Sequence, residues 1–290
     1  MGKFINPFTD VGFKIIFGQE FSKERLLDFL NALFDGEHVI NNLTFLDKEQ
    51  KAMFDGDRSP IYDILCETDS GEKIIVEMQN REHPNFKERM LYYASEAIVR
   101  QGEKGADWNY DIKAVYVIAF TNFVMTGYGG RLRIDAGLTD LQQGGLFCDK
   151  LRLIYLQIPC FTKEAEECES HFERWIYILK NMDILERMPW AAQDAVFRRL
   201  AEVAEVSALS KEERIKYDHA LKRYRDTLNA MTGAEMKGRA EGRAEGRAEG
   251  RAEGERTKAL ESARRMKADN MPVELIAKYT GLTVGVINDL

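Results

Sequence analysis

The chain has 290 residues, a formal net charge of −7, 44% hydrophobic and 31% charged residues, which leaves room for one globular domain of roughly 100 to 200 residues plus an appended segment. That composition excludes a fibre, a disordered chain and a uniformly basic nucleic-acid coat. Cys66, Cys148, Cys160 and Cys168 form no CxxC pair, and His38, His83, His171 and His219 are isolated, so a zinc cluster or disulfide framework is excluded and any metal falls to oxygen ligands.

The opening MGKFIN has no apolar run of signal-peptide length, and Asn6 stands where a myristoylation motif needs Ser or Thr, so a cytoplasmic protein without membrane association is expected. Residues 22–34, SKERLLDFLNALF, place Leu26, Leu27, Leu30 and Leu33 at helical spacing behind a candidate Ser22 cap. MFDGDRS, with Asp55 and Asp57, lacks the spacing of a calcium loop and reads as a plain loop. IYDILCET and EKIIVEMQ, rich in Ile and Val around Asp69-Ser70-Gly71, read as two strands and a hairpin turn. Residues 85–101 return to helical spacing, with Phe86, Met90, Ala94, Ala97 and Ile98 on one side. Residues 113–120 are a buried-strand candidate, and 150–158 read as a strand that alternates Leu151, Leu153 and Tyr155 with its other face.

After Thr162 the pattern is helical, near 163–182, 191–206 and 210–231. Residues 238–253 repeat GRAE four times. On a helix this stacks Arg239 on Arg243 and Glu241 on Glu245, while opposite charges fall two apart and do not face. The four glycines weaken the helix further. A flexible or marginally helical spacer is expected, with helical pairing to a second copy as the alternative. The tail after Asp269 has Pro272 at a helix start, Gly281 at a turn and Thr283 before a second short helix. It is helix-turn-helix-like and is expected to make the chain a homo-oligomer. The organisation expected is a core over 1–160, a helical extension over 161–232, a repeat linker over 233–255 and the tail over 256–290.

The hairpin carries the chemistry. A three-residue loop ending in a left-handed glycine fits Asp69-Ser70-Gly71, so Thr68 faces Glu72 and the register continues to Asp63 opposite Glu77, on one face with Gln79. Paired residues have Cβ atoms about 4.5 to 5.5 Å apart, close enough for two carboxylates to hold one divalent cation, magnesium or manganese. The main-chain carbonyl of Met78 is a third candidate ligand, and Gln79 can orient water through its amide.

Asp63 followed by Glu77-Met78-Gln79 resembles the D…(D/E)xK signature in the form D…ExQ, as in the recombination-promoting nuclease (Rpn) and transposase family of the PD-(D/E)XK superfamily. The resemblance extends to NPFTDVGFKIIFG at 6–18, RMLYYASEAIVRQ at 89–101 and the GLTVGVINDL tail. It implies an α/β fold of the restriction-endonuclease type, a mixed sheet flanked by helices with a mostly helical C-terminal region. It also implies magnesium-dependent cleavage of DNA linked to recombination, mobile elements or phage defence. By matching position, Asp63 and Glu77 are the metal carboxylates and Gln79 the third signature residue, with Arg89, Tyr93, Asp10 and Lys14 as further candidates.

Blander readings stand beside these. A lone Asp in an apolar strand is more often an edge residue, Tyr93 equally fits a core filler beside Tyr92, and Lys14 fits a snorkelling side chain. With Gln79 in the lysine position, a protein that binds DNA or a partner without cutting is the alternative function.

Overall fold

The computed structural model describes residues 2–49, 61–102 and 108–290, so the loop with Asp55 and Asp57 lies outside the described residues. The chain forms two compact units, 1–224 and 225–290.

The first unit is organised by a six-stranded mixed sheet made of β1 (Leu43–Phe45), β2 (Ile64–Thr68), β3 (Lys73–Gln79), β4 (Val115–Thr121), β5 (Arg133–Thr139) and β6 (Leu146–Gln157). Its order is β1-β2-β3-β4-β6-β5. The inner strands β3, β4 and β6 run parallel, and antiparallel strands lie outside them. Strands of this kind, covered on both faces, carry near-continuous apolar runs. On one face Ile74, Val76, Ile118, Ile154 and Leu156 join the core made with α1 (Asp10–Phe17), α2 (Lys23–Phe34), α4 (His171–Asn181), α5 (Ala195–Ala204) and the start of α6 (Lys211–Ala268). On the other face Ile75, Val117, Ala119 and Tyr155 meet Phe86, Met90 and Ala94 of α3 (Phe86–Val99). This is the expected α/β fold, a mixed sheet with flanking helices and a long helical C-terminal region.

Several elements differ from the sequence pattern. The short helix α1 is capped by Thr9, whose hydroxyl accepts from the Gly12 N–H. Ser22 does not cap α2 through its side chain; it closes the preceding turn, donating to the Gln19 carbonyl at 2.6 Å. The helix expected from 163 begins at His171, because residues 165–167 form a 3-10 turn and a Ser170–Glu173 capping box sets the start. The helix expected over 191–206 is shorter, starting after Asp194, which accepts from the Val196 N–H.

The second unit contains the rest of α6 with α7 (Val273–Thr280) and α8 (Val284–Asn288). Ile276 and Ile287 are buried with Ala263 in a core of their own. The chain turns at Gly281 with φ of 72°, where glycine has no steric penalty. Thr283 stands at the start of α8 but makes no side-chain cap bond. The GRAE repeat lies within α6, the helical one of its two expected forms, as the strong helix formers Ala, Arg and Glu allow between the glycines. Among the described residues no helix is long and apolar enough to cross a membrane.

Candidate active site

The β2–β3 hairpin turns as its sequence dictates. Gly71 has φ of 86°, its N–H donates to the Thr68 carbonyl at 3.0 Å, and the Thr68 N–H donates to Glu72 at 2.9 Å. Ile64 then pairs with Val76 and Leu65 with Ile75. One residue beyond Ile64 the ladder ends and two side chains replace it. The Asp63 N–H donates to Glu77 Oε1 at 3.0 Å, and Asp63 Oδ2 accepts from the Met78 N–H at 2.9 Å. The two acids are thus locked together at the end of the hairpin.

Their surroundings are unfavourable for charge. Glu77 is 3% exposed, and burial, followed by the nearby Asp63 charge, pushes its carboxyl up to about 8. Burial also raises Asp63, partly offset by the Met78 N–H and by the positive charge of Lys14. Among the described residues neither acid forms an ion pair. Gln79, at the end of β3, lies beside Glu77, and its amide works to lower that carboxyl against burial. The Met78 N–H points at Asp63, and because N–H and C=O of one strand residue share an edge, its carbonyl faces the same way.

Helix α3 brings Arg89 and Tyr93, one turn apart, over this pair. The Arg89 Nε and Nη2 are buried without a hydrogen-bond partner among the described residues, although its charge acts on both Asp63 and Glu77. Tyr93 meets Tyr62 edge-on at 5.1 Å, and burial, then the Glu77 charge, raises its hydroxyl. From the other side of the sheet α1 supplies Asp10, exposed, and Lys14, half-buried, whose charges act on Asp63. Asn80, just past β3, holds that approach by donating to the Phe8 carbonyl at 2.8 Å. The structure therefore gathers Asp63, Glu77, Met78, Gln79, Arg89, Tyr93, Asp10 and Lys14 around one end of the hairpin.

Tyr62 is the neighbour that sequence reasoning missed. It is 1% exposed, its hydroxyl has no hydrogen-bond partner among the described residues, and burial pushes it up to about 12. A single aromatic before an acid gives no signal in a sequence; only the fold places it under Tyr93.

Among the described residues no group of three or more His, Cys, Asp or Glu is arranged to hold a metal ion. An ion at this site would therefore rest on two carboxylates and main-chain oxygen. That donor set suits a hard cation that keeps several waters, and a divalent charge relieves the repulsion between the buried Glu77 and the half-buried Asp63.

Residues 7–234 match the family described as PD-(D/E)XK nuclease family transposase. No curated protein and no solved structure matches the chain.

Proposed function

The chain belongs to the PD-(D/E)XK nuclease family transposases, and from that premise we propose that it is a divalent-metal-dependent DNA endonuclease with Asp63 and Glu77 at its centre. The observation that carries this reading is the pairing of buried Glu77 with half-buried Asp63, hydrogen-bonded across the hairpin and, among the described residues, in no ion pair, beside an arginine with two donors that find no partner there. Like charges so placed destabilise a fold unless a counter-charge joins them.

Magnesium or manganese fits the carboxylates of Asp63 and Glu77 with the carbonyl of Met78. When bound, such an ion polarises the scissile phosphate and lowers the pKa of a water. Arg89 binds a non-bridging phosphate oxygen through its two free N–H groups, a charge-assisted contact that needs no further desolvation. Gln79 keeps Glu77 oriented and directs water with its amide. Tyr93 donates to the phosphate beside Arg89, Lys14 offsets the acid pair, and Asp10 orients groups at the outer rim. A role in recombination, transposition or phage defence within the cytoplasm follows from the same reading.

A second reading rests on Gln79. With no positive charge at the position that resembles the signature lysine, stabilisation of the developing phosphorane is weaker, and the fold can serve to bind DNA without cutting it. Incubation with supercoiled plasmid separates the two. Nuclease activity predicts nicking with magnesium, none with chelator, and none in Asp63→Ala. Binding of plasmid without nicking in either metal favours the second reading, and equal nicking by Asp63→Ala removes the proposed site.

A further inference from the structure

In the second unit, residues 238–253 of α6 are all exposed and present their charges in a pattern one chain cannot satisfy. At about 100° per residue, the repeat sets Arg at the origin, Ala near 100°, Glu near 200° and Gly near 300°. Arg239, Arg243, Arg247 and Arg251 thus form one stripe, and Glu241, Glu245, Glu249 and Glu253 form another on the far side. Within each stripe the neighbours one turn away carry the same sign, which weakens a lone helix. The ion pairs of this stretch occur where the repeat meets other sequence: Arg239 with Glu235 at 2.6 Å, Lys237 with Glu241 at 3.8 Å and Arg251 with Glu255 at 3.0 Å.

The glycines are equally unexplained from within the chain. A Cβ at Gly238, Gly242, Gly246, Gly250 or Gly254 would meet nothing within 4 Å, so neither intramolecular packing nor a special backbone angle calls for them, and each weakens the helix relative to alanine. Toward the end of the repeat a shallow groove runs between Gly250, Gly254, Thr257 and Lys258.

We propose that this repeat pairs in parallel with the same segment of a second copy of the chain. The glycine face is flanked by the arginine stripe on one side and the glutamate stripe on the other. In a parallel pair, the two-fold axis runs along the helices and sets the Arg flank of each copy against the Glu flank of its partner, on both sides. An antiparallel pair sets Arg against Arg and Glu against Glu. The charge pattern is therefore self-complementary in one direction only. Contact along rows of residues four apart gives a right-handed crossing of about −40 to −50°, and the missing side chains let the backbones approach. The inference is independent of the nuclease reading, because it uses none of the acid-pair residues.

The test uses full-length chain, mixing isotope-labelled and unlabelled copies and treating them with a lysine-reactive cross-linker, because Lys237 and Lys258 bracket the repeat. The expected result is a dimer mass by light scattering, with mixed-isotope Lys237–Lys237 and Lys258–Lys258 links. Replacing Gly242, Gly246 and Gly250 together by alanine is expected to weaken the dimer by about tenfold or more, because the added methyls separate the helices. Changing the four arginines of the repeat to glutamate should leave monomer, and adding a chain whose four repeat glutamates are changed to arginine should restore a mixed dimer. Lys237–Lys258 links as the main product, a monomer throughout the micromolar range, or a glycine-to-alanine variant with higher helicity and unchanged mass would each overturn the proposal. DNA binding lost with the arginine stripe while the mass stays that of a monomer would assign the stripe to nucleic acid and overturn it as well.

Discussion

On β5 and β6, Asp135 lies between Arg133 and Arg152, each 2.7 Å away, and Arg152 reaches on to Glu37 at 2.7 Å. At the end of the β2–β3 hairpin, Glu77 and Asp63 are held together, and among the described residues neither forms an ion pair. Burial works to raise the Asp135 carboxyl, but the two arginines outweigh it and hold it below its ordinary range; at Glu77 burial and the neighbouring acid act in the same direction and the group rises to about 8. The two clusters share one sheet and similar side chains, yet the first is closed by direct ion pairs, whereas among the described residues the second has none and feels only the charges of Arg89 and Lys14. A satisfied network explains itself as structure, whereas an unsatisfied one requires something that the polypeptide does not contain.

Four substitutions can break or sharpen that contrast. Arg89→Ala should reduce plasmid cleavage by about 100- to 1,000-fold, as for loss of one preorganised donor, and should move the ionisation of Glu77 to higher pH, since the Arg89 charge favours the ionised acid. A lower midpoint with normal cleavage would place Arg89 with the structural network instead.

Glu77→Gln should raise the thermal midpoint of metal-free protein by several degrees near neutral pH. The sign follows from the direction of the shift. A carboxyl raised in the folded state binds its proton more tightly there, so the destabilisation is absent at acid pH and grows as pH rises from the ordinary carboxylate value toward 8. The gap between parent and variant should therefore close below about pH 4; a gap independent of pH would contradict the buried-charge account.

Gln79→Lys should move the acid limb of the pH–cleavage profile to lower pH, because a positive charge beside Glu77 favours its ionised form, with a rate gain of about tenfold at most. An unmoved profile would mean that position 79 does not act on Glu77. Asp135→Asn should cost less than about 1 kcal/mol by denaturant unfolding, as expected of a partly exposed ion-pair cluster, with cleavage unaffected. A loss of cleavage there would erase the distinction between the two clusters.

Much of the acid pair was legible in the sequence because its cause is local. A tight turn with Gly71 and a period of two fix which residue faces which, and counting outward from Thr68 and Glu72 reaches Asp63 and Glu77 without knowledge of the rest of the fold. Helix α3 was equally readable from Phe86, Met90, Ala94 and Ala97. What escaped depends on long-range context. β1 has only three residues, and β5 is mostly exposed and held by pairing with β6. The start of α4 is set by Ser170 and Glu173 rather than by the apolar period. The helix through GRAE overrides a local pattern of glycines and like charges that argues against it. The unpartnered donors of Arg89 and the burial of Tyr62 arise from packing between α3 and the hairpin, which spacing along the chain does not record.

Calorimetric titration of the metal-free full-length chain with magnesium and manganese at neutral pH tests the acid pair directly. The account predicts one site per chain, proton release on binding because Glu77 must give up its proton, and loss of the site in Glu77→Gln. Identical binding by parent and variant, or no binding by the parent, would contradict it.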